Sequence, residues 1–133
     1  MATYTSMGRT NYFAVRDSHL QALKDLVVGT GIELDEEGEN TVVLLDTEGC
    51  GWMICREDCD DDIYLPDVIG EYLQPGEVVV FQSIGSEKFR YLAGDSVACN
   101  DKGEQVWVHL SDIYAAAAAA FGVEQSKISI AEY

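Results

Sequence analysis

Apolar residues recur along this chain in two rhythms, and the rhythms predict its elements. Alternation marks strands, and a three-to-four spacing marks helices. After a polar lead, "NYFAVRD" (11–17) alternates well enough for a short strand. Ser18 then stands where a cap belongs before "HLQALKDLVV", in which Leu20, Leu23, Leu26 and Val27 follow helical spacing until Gly29 and Gly31 end the run. "GIEL" reads as a short strand ahead of "DEEGEN", a turn-rich acidic link. "TVVLLD" (41–46) and "GWMICRE" (51–57) read as a hairpin joined by "TEGC". Pro66 sits at a helix first turn and opens "DVIGEYL", which ends before Pro75-Gly76.

The second half alternates more regularly. "EVVVFQSI" (77–84), "KFRYLAG" (88–94), "SVACN" (96–100) and "EQVWVHL" (104–110) predict four antiparallel strands, with turns at "GSE" and "NDKG". Ser111 is placed to cap the helix "DIYAAAAAAF", which Gly122 closes, and "KISI" near the end is a candidate edge strand. Six consecutive alanines favour a helix and allow it to pack closely on a sheet. The expected fold is an α+β single domain over residues 1–133: a mostly antiparallel sheet carrying two or three helices packed on it.

Length and composition agree with that picture. At 133 residues the chain fits one domain, and its 47% apolar content supplies a core. No run of 18 apolar residues occurs, so no membrane-spanning helix is expected, and "MATYTSMGRT" has neither a basic nor an apolar signal region. Four cysteines (Cys50, Cys55, Cys59 and Cys99) are too few for a disulfide framework, so reduced thiols in a cytoplasm are the expectation.

Charge changes the picture most. Twenty-four acids against eight bases leave −16. Between Glu33 and Glu77 stand fifteen acids and one base, Arg56; the other 88 residues hold nine acids and seven bases. The excess therefore belongs to one third of the chain, centred on "CREDCDDDIYLPD" (55–67). Such self-repulsion costs stability, and a solubility coat would be spread more evenly.

The candidate chemistries fit poorly. Cys50, Cys55 and Cys59 are separated by four and three residues and flank a predicted strand, unlike the paired knuckles of a structural zinc site. Asp58, Asp60 and Asp62 match the first positions of a calcium loop, but Ile63 stands where its glycine belongs and Ile69 where its last carboxylate belongs. Neither His19, which follows the capping Ser18, nor His109 neighbours a plausible serine or cysteine nucleophile in sequence, and no phosphate loop or nucleophile elbow occurs. Neither a catalytic residue nor a cofactor is expected, and acid–base work by Asp60 and Asp62 lacks an apolar pocket to separate their pKa values. Direct nucleic-acid binding is excluded by sign, because no basic patch exists.

Two segments carry a resemblance. "TNYFAVRD" followed by a helix, and "EKFRYLAGDSVACNDKGEQVWVHLSDIY" (87–114), resemble small acidic proteins encoded by phages, plasmids and integrative elements of bacteria. The likeness implies a mobile-element protein in a bacterial cytoplasm, the setting of anti-CRISPR and antirestriction proteins. Residues 57–62 lie outside both segments, so the acidic surface is argued from charge alone. Rows of carboxylates on rigid elements approach the charge density of a nucleic-acid strand and suit a basic groove. The expectation is a non-enzymatic inhibitor of a host nucleic-acid-binding protein or complex, a CRISPR effector first and a restriction enzyme next. Its expected partner surface comprises Glu33, Asp35, Glu36, Glu37, Glu39, Glu57, Asp58, Asp60, Asp61, Asp62, Asp67 and Glu71, with Tyr64 and Tyr72 as aromatic anchors. The alternatives are an acidic interaction or regulatory module without mimicry, and a small metal-binding domain using the cysteines and "DCDDD".

Overall fold

A computed structural model describes residues 5–54 and 62–131. Chain order runs β1 (Thr5–Thr10), β2 (Phe13–Ala14), a 3-10 turn (Asp17–His19), α1 (Leu20–Val27), β3 (Ile32–Gly38) and β4 (Thr41–Asp46). It continues with β5 (Met53–Ile54), β6 (Ile63–Tyr64), α2 (Leu65–Val68) extended by a 3-10 turn (Ile69–Tyr72), β7 (Val78–Glu87), β8 (Tyr91–Asn100), β9 (Gln105–His109) and α3 (Asp112–Phe121). Seven of the strands form one antiparallel sheet, and β5 pairs with β6 apart from it. The expected α+β class is what the chain adopts.

Strand β4 pairs with β3 on one side and with β2 and then β1 on the other; β1 leads on to β7, β8 and β9. Among the described residues the sheet therefore has two free edges, β3 and β9. Directly paired residues share a face. Phe13 opposes Val42, Thr10 opposes Phe81, Phe81 opposes Val97, and Val79 opposes Cys99, so the buried residues of five strands line one side. Leu23 and Val27 of α1, together with Leu65, Ile69 and Leu73 around α2, complete that core.

Several local expectations are corrected. "DEEGEN" is not a link: β3 runs through it and turns only at Glu39-Asn40, where Asn40 takes φ 59°. Its partner "TVVLLD" therefore pairs backwards with β3 rather than forwards with Met53–Ile54, which pair with β6; residues 55–57 of the expected hairpin lie outside the described residues. The forward route is blocked because Asp46 draws the "TEGC" loop back onto itself: its carboxylate accepts from the backbone N–H groups of Cys50 (3.0 Å) and Gly51 (2.9 Å).

"KFRYLAG" and "SVACN" form one strand, not two, and the turn lies at Lys88–Arg90 rather than "GSE". Gly94 lies within the strand and makes no bend. A side chain there would touch Leu110, whose N–H donates to the Gly94 carbonyl at 2.7 Å. "KISI" adds no strand, since a 3-10 turn occupies Gln125–Lys127. Ser18 lies inside the 3-10 turn and does not cap α1, and Ser111 makes no side-chain capping bond to α3. The alanine helix α3 buries none of its residues, contrary to the expected packing on the sheet.

The strand that pattern reading leaves out, β1, is central. "TSMGRT" has no apolar alternation because its core-facing positions are Gly8 and Thr10. A Cβ on Gly8 would lie 2.9 Å from both the Gln82 carbonyl oxygen and Trp52 Cζ2. Buried Thr10 accepts the Leu44 N–H at 2.9 Å through Oγ1.

Candidate functional site

Among the described residues β3 pairs only with β4, and none of them pairs with its outer edge. Period-two geometry puts Ile32 and Leu34 toward α1 and leaves Glu33 and Asp35 on the opposite face, beside Leu45 and Val43 of β4. Glu36 faces α1 and forms an ion pair with Lys24. The ladder shifts between Glu36 and Gly38, and the bulged Glu37 is exposed, as is Glu39 in the turn. Five acids thus occupy seven consecutive positions of one ordered edge, and one is neutralised by Lys24.

The remaining acids of the expected surface do not join that edge. Asp67 lies in the first turn of α2 and accepts from Gln105 Nε2 at 2.9 Å, which ties it to β9 at the opposite side of the sheet. From β3 to β9 is five strand steps, about 24 Å at the usual interstrand spacing. Asp62 and Glu71 are exposed near α2. Glu57, Asp58, Asp60 and Asp61 lie outside the described residues. So do Cys55 and Cys59, and with them the zinc and calcium candidates. Among the described residues no three His, Cys, Asp or Glu side chains come together as a metal site.

Asp46 belongs to the acidic third by sequence but not to any surface. It is 2% exposed, and besides the two backbone donors it accepts from Cys50 Sγ at 3.2 Å. Its charge is used internally, as an anchor for residues 46–51.

Tyr64 and Tyr72 are half-buried, in different settings. Tyr72 meets His19 edge-on at 6.1 Å, and its carbonyl accepts the Arg16 N–H at 2.8 Å. Tyr64 stacks on Trp107 with centroids 6.1 Å apart, and Trp107 stacks on His109 at 5.6 Å. Burial, and then the neighbouring Asp67 carboxylate, pushes the Tyr64 phenol above its ordinary range. At the end of this ladder His109 Nδ1 lies 2.6 Å from Asp95, and that hydrogen bond raises the imidazole's pKa. The ladder was not anticipated. Its signal was "QVWVH", a strand apolar at four consecutive positions if the tryptophan and histidine rings count as packing surface.

Beside the ladder lies a cavity of about 240 Å³, walled by Trp52, Phe81, Cys50, Asp46 and Trp107 among others. Trp52 Nε1 donates to Ser83 Oγ there at 2.9 Å. The two thiols among the described residues are poor nucleophiles: burial, reinforced by Asp46 at Cys50 and Asp67 at Cys99, pushes both up to about 11. At neutral pH each is a protonated thiol, which attacks carbonyls and disulfides poorly.

Among the described residues no helix is long and apolar enough to cross a membrane. Comparison with known proteins finds no matching family model, no matching curated sequence and no matching solved structure. The class defined by the geometry is a single α+β domain with an acidic sheet edge.

Proposed function

We propose that this chain is a non-enzymatic inhibitor that places its acidic sheet edge in the basic, nucleic-acid-binding groove of a host-defence protein. A CRISPR effector is the first candidate and a restriction enzyme the next, as the mobile-element resemblance implies. The supporting observation is the free β3 edge. From Glu33 to Glu39 the strand advances about 20 Å. Over that length stand four carboxylates without a lysine partner, roughly one per 5 Å, against one phosphate per about 3.4 Å along a nucleic-acid strand. Glu33 and Asp35 sit on a paired strand, Glu37 at its bulge and Glu39 in the tight turn that follows, so less ordering entropy is lost than for a long loop when they meet lysines and arginines.

The reading differs from the broader acidic surface expected from sequence. Asp67 stands across the sheet with Gln105, so the binding surface is centred on Glu33, Asp35, Glu37 and Glu39. A pull-down from bacterial lysate identifies the target, and competition against its labelled DNA over a salt series then tests the mechanism. Reversing Glu33, Asp35 and Glu37 to lysine together is expected to weaken inhibition at low salt by at least tenfold. Reversing Asp17, Asp101 and Glu124, which carry equal charge elsewhere, does far less. Equal losses from the two triple variants, or none from either, sink the proposal.

A further inference from the structure

The sheet has a second face, and at its β9 end no helix of the described residues covers it. Met7 of β1 opposes Ile84 of β7, which opposes Gly94 of β8; Ser96 of β8 opposes Val108 of β9. By the two-residue period Leu92 joins the same face, and Leu110 follows at the end of β9. These five side chains and Ile113 of α3 are each between 56% and 62% exposed. They are contiguous, because two adjoining grooves share Ile84 and Leu110 as walls.

We infer that a second copy of this chain covers this face, so that the protein is an isologous dimer. Area is the first argument. Six side chains of this size at such exposure present on the order of 600 Å² of apolar surface, the top of the roughly 300–600 Å² that the largest patch of a monomer reaches. A standard interface takes about 800 Å² from each partner, so the patch supplies most of an interface core.

Helix α3 is the second argument. It has ten residues and buries none of them, while isolated helices shorter than about 12 residues are marginal in water. Within the protomer Tyr114 Oη accepts the Ala131 N–H at 2.7 Å, and this C-terminal contact leaves Ile113 and Phe121 exposed for a second copy to cover. Helix and grooves also lie side by side on one surface, with Ala116 and Ile113 bordering the groove under Val108. A two-fold axis therefore sets the ridge of each copy against the groove of the other, as an isologous contact requires.

Charge placement is the third argument. A chain of net −16 resists self-association unless its acids are kept apart. The β3 edge lies about 24 Å from β9, roughly three Debye lengths at physiological salt, and the acids beside β9 are engaged within the protomer, Asp67 by Gln105, Asp95 by the His109 ring and Asp112 by the His109 N–H, so pairing around β9 can leave the two acidic edges pointing away from each other.

Sedimentation equilibrium of the full chain tests this. The expected mass is twice 14.6 kDa, falling to 14.6 kDa in the Ile84→Lys/Val108→Lys variant. Glu33→Lys/Asp35→Lys keeps the dimer, so failure of the dimer is told apart from failure of the acidic edge. A wild-type monomer at micromolar concentration overturns the inference, and so does a folded double variant that still dimerises. If that variant fails to fold, amide exchange of wild-type α3 decides. Exchange that slows as protein concentration rises supports the dimer, and concentration-independent exchange refutes it.

Discussion

Replacing Asp46 by asparagine sets counting of charge against geometry. On charge alone, removing any of the fifteen acids between Glu33 and Glu77 relieves repulsion and stabilises the domain. In the folded protein Asp46 is buried, and one oxygen accepts from Cys50 N–H and Sγ while the other accepts from Gly51 N–H. An asparagine can keep only one side of this arrangement. With its oxygen toward Cys50, its NH₂ faces the Gly51 N–H, so one hydrogen bond to a charged group is lost and two donors confront each other. A charge-assisted bond is worth about 1.5–3 kcal/mol, and an unpaired donor costs a further ~1 kcal/mol where water reaches it in part. The expected loss is about 2–4 kcal/mol, a large share of a typical total of about 5–15. Asp35→Asn, on the exposed edge, is expected to stay within about 0.5 kcal/mol of wild type. Urea unfolding followed by tryptophan fluorescence reads both. If Asp46→Asn is as stable as wild type, the carboxylate is not the anchor of the 46–51 loop, and the account of why β4 pairs backwards fails with it.

Other outcomes follow from the same structure. Gly8→Ala puts a methyl 2.9 Å from a paired backbone carbonyl and is expected to cost about 1–3 kcal/mol in the same unfolding assay; an unchanged midpoint shows that β1 has room the structure does not give it. His109 is expected to titrate above its usual 6.5 because of Asp95, and Asp95→Asn to bring it back down, as followed by NMR of the ring protons. Since its folded pKa is raised, its contribution to stability is complete below about 6.5 and is lost as pH rises through the folded value. A wild-type midpoint at or below 6.5 contradicts the bond. Cys99, 1% exposed and pushed up to about 11, is expected to resist thiol reagents in the native protein and to react on unfolding, whereas half-buried Cys50 reacts slowly but measurably. Mass spectrometry of peptides labelled with and without denaturant checks this, and native labelling of Cys99 at the denatured rate contradicts its burial.

Pattern alone determined the class of the fold. The alternation in "EVVVFQSI" and "EQVWVHL", the helical spacing of Leu20, Leu23 and Val27, Pro66 in the first turn of α2 and Gly122 after α3 are local signals, and each acts where it stands. Charge segregation was legible too, since counting needs no geometry. Pairing was not, because register depends on residues distant in sequence. β1 enters the centre of the sheet through Gly8 and Thr10, whose fitness shows only when Gln82, Trp52 and Leu44 are brought against them. Asp46 looks like any other acid until the loop after it turns three donors inward. The acidic third reads as one surface, yet Asp67 and Glu33 end at opposite edges, since the order of strands across a sheet is not their order along the chain. For the same reason "DIYAAAAAAF" announced a helix but not its surroundings: helix propensity is local, whereas what covers a helix depends on where the last strand leaves it.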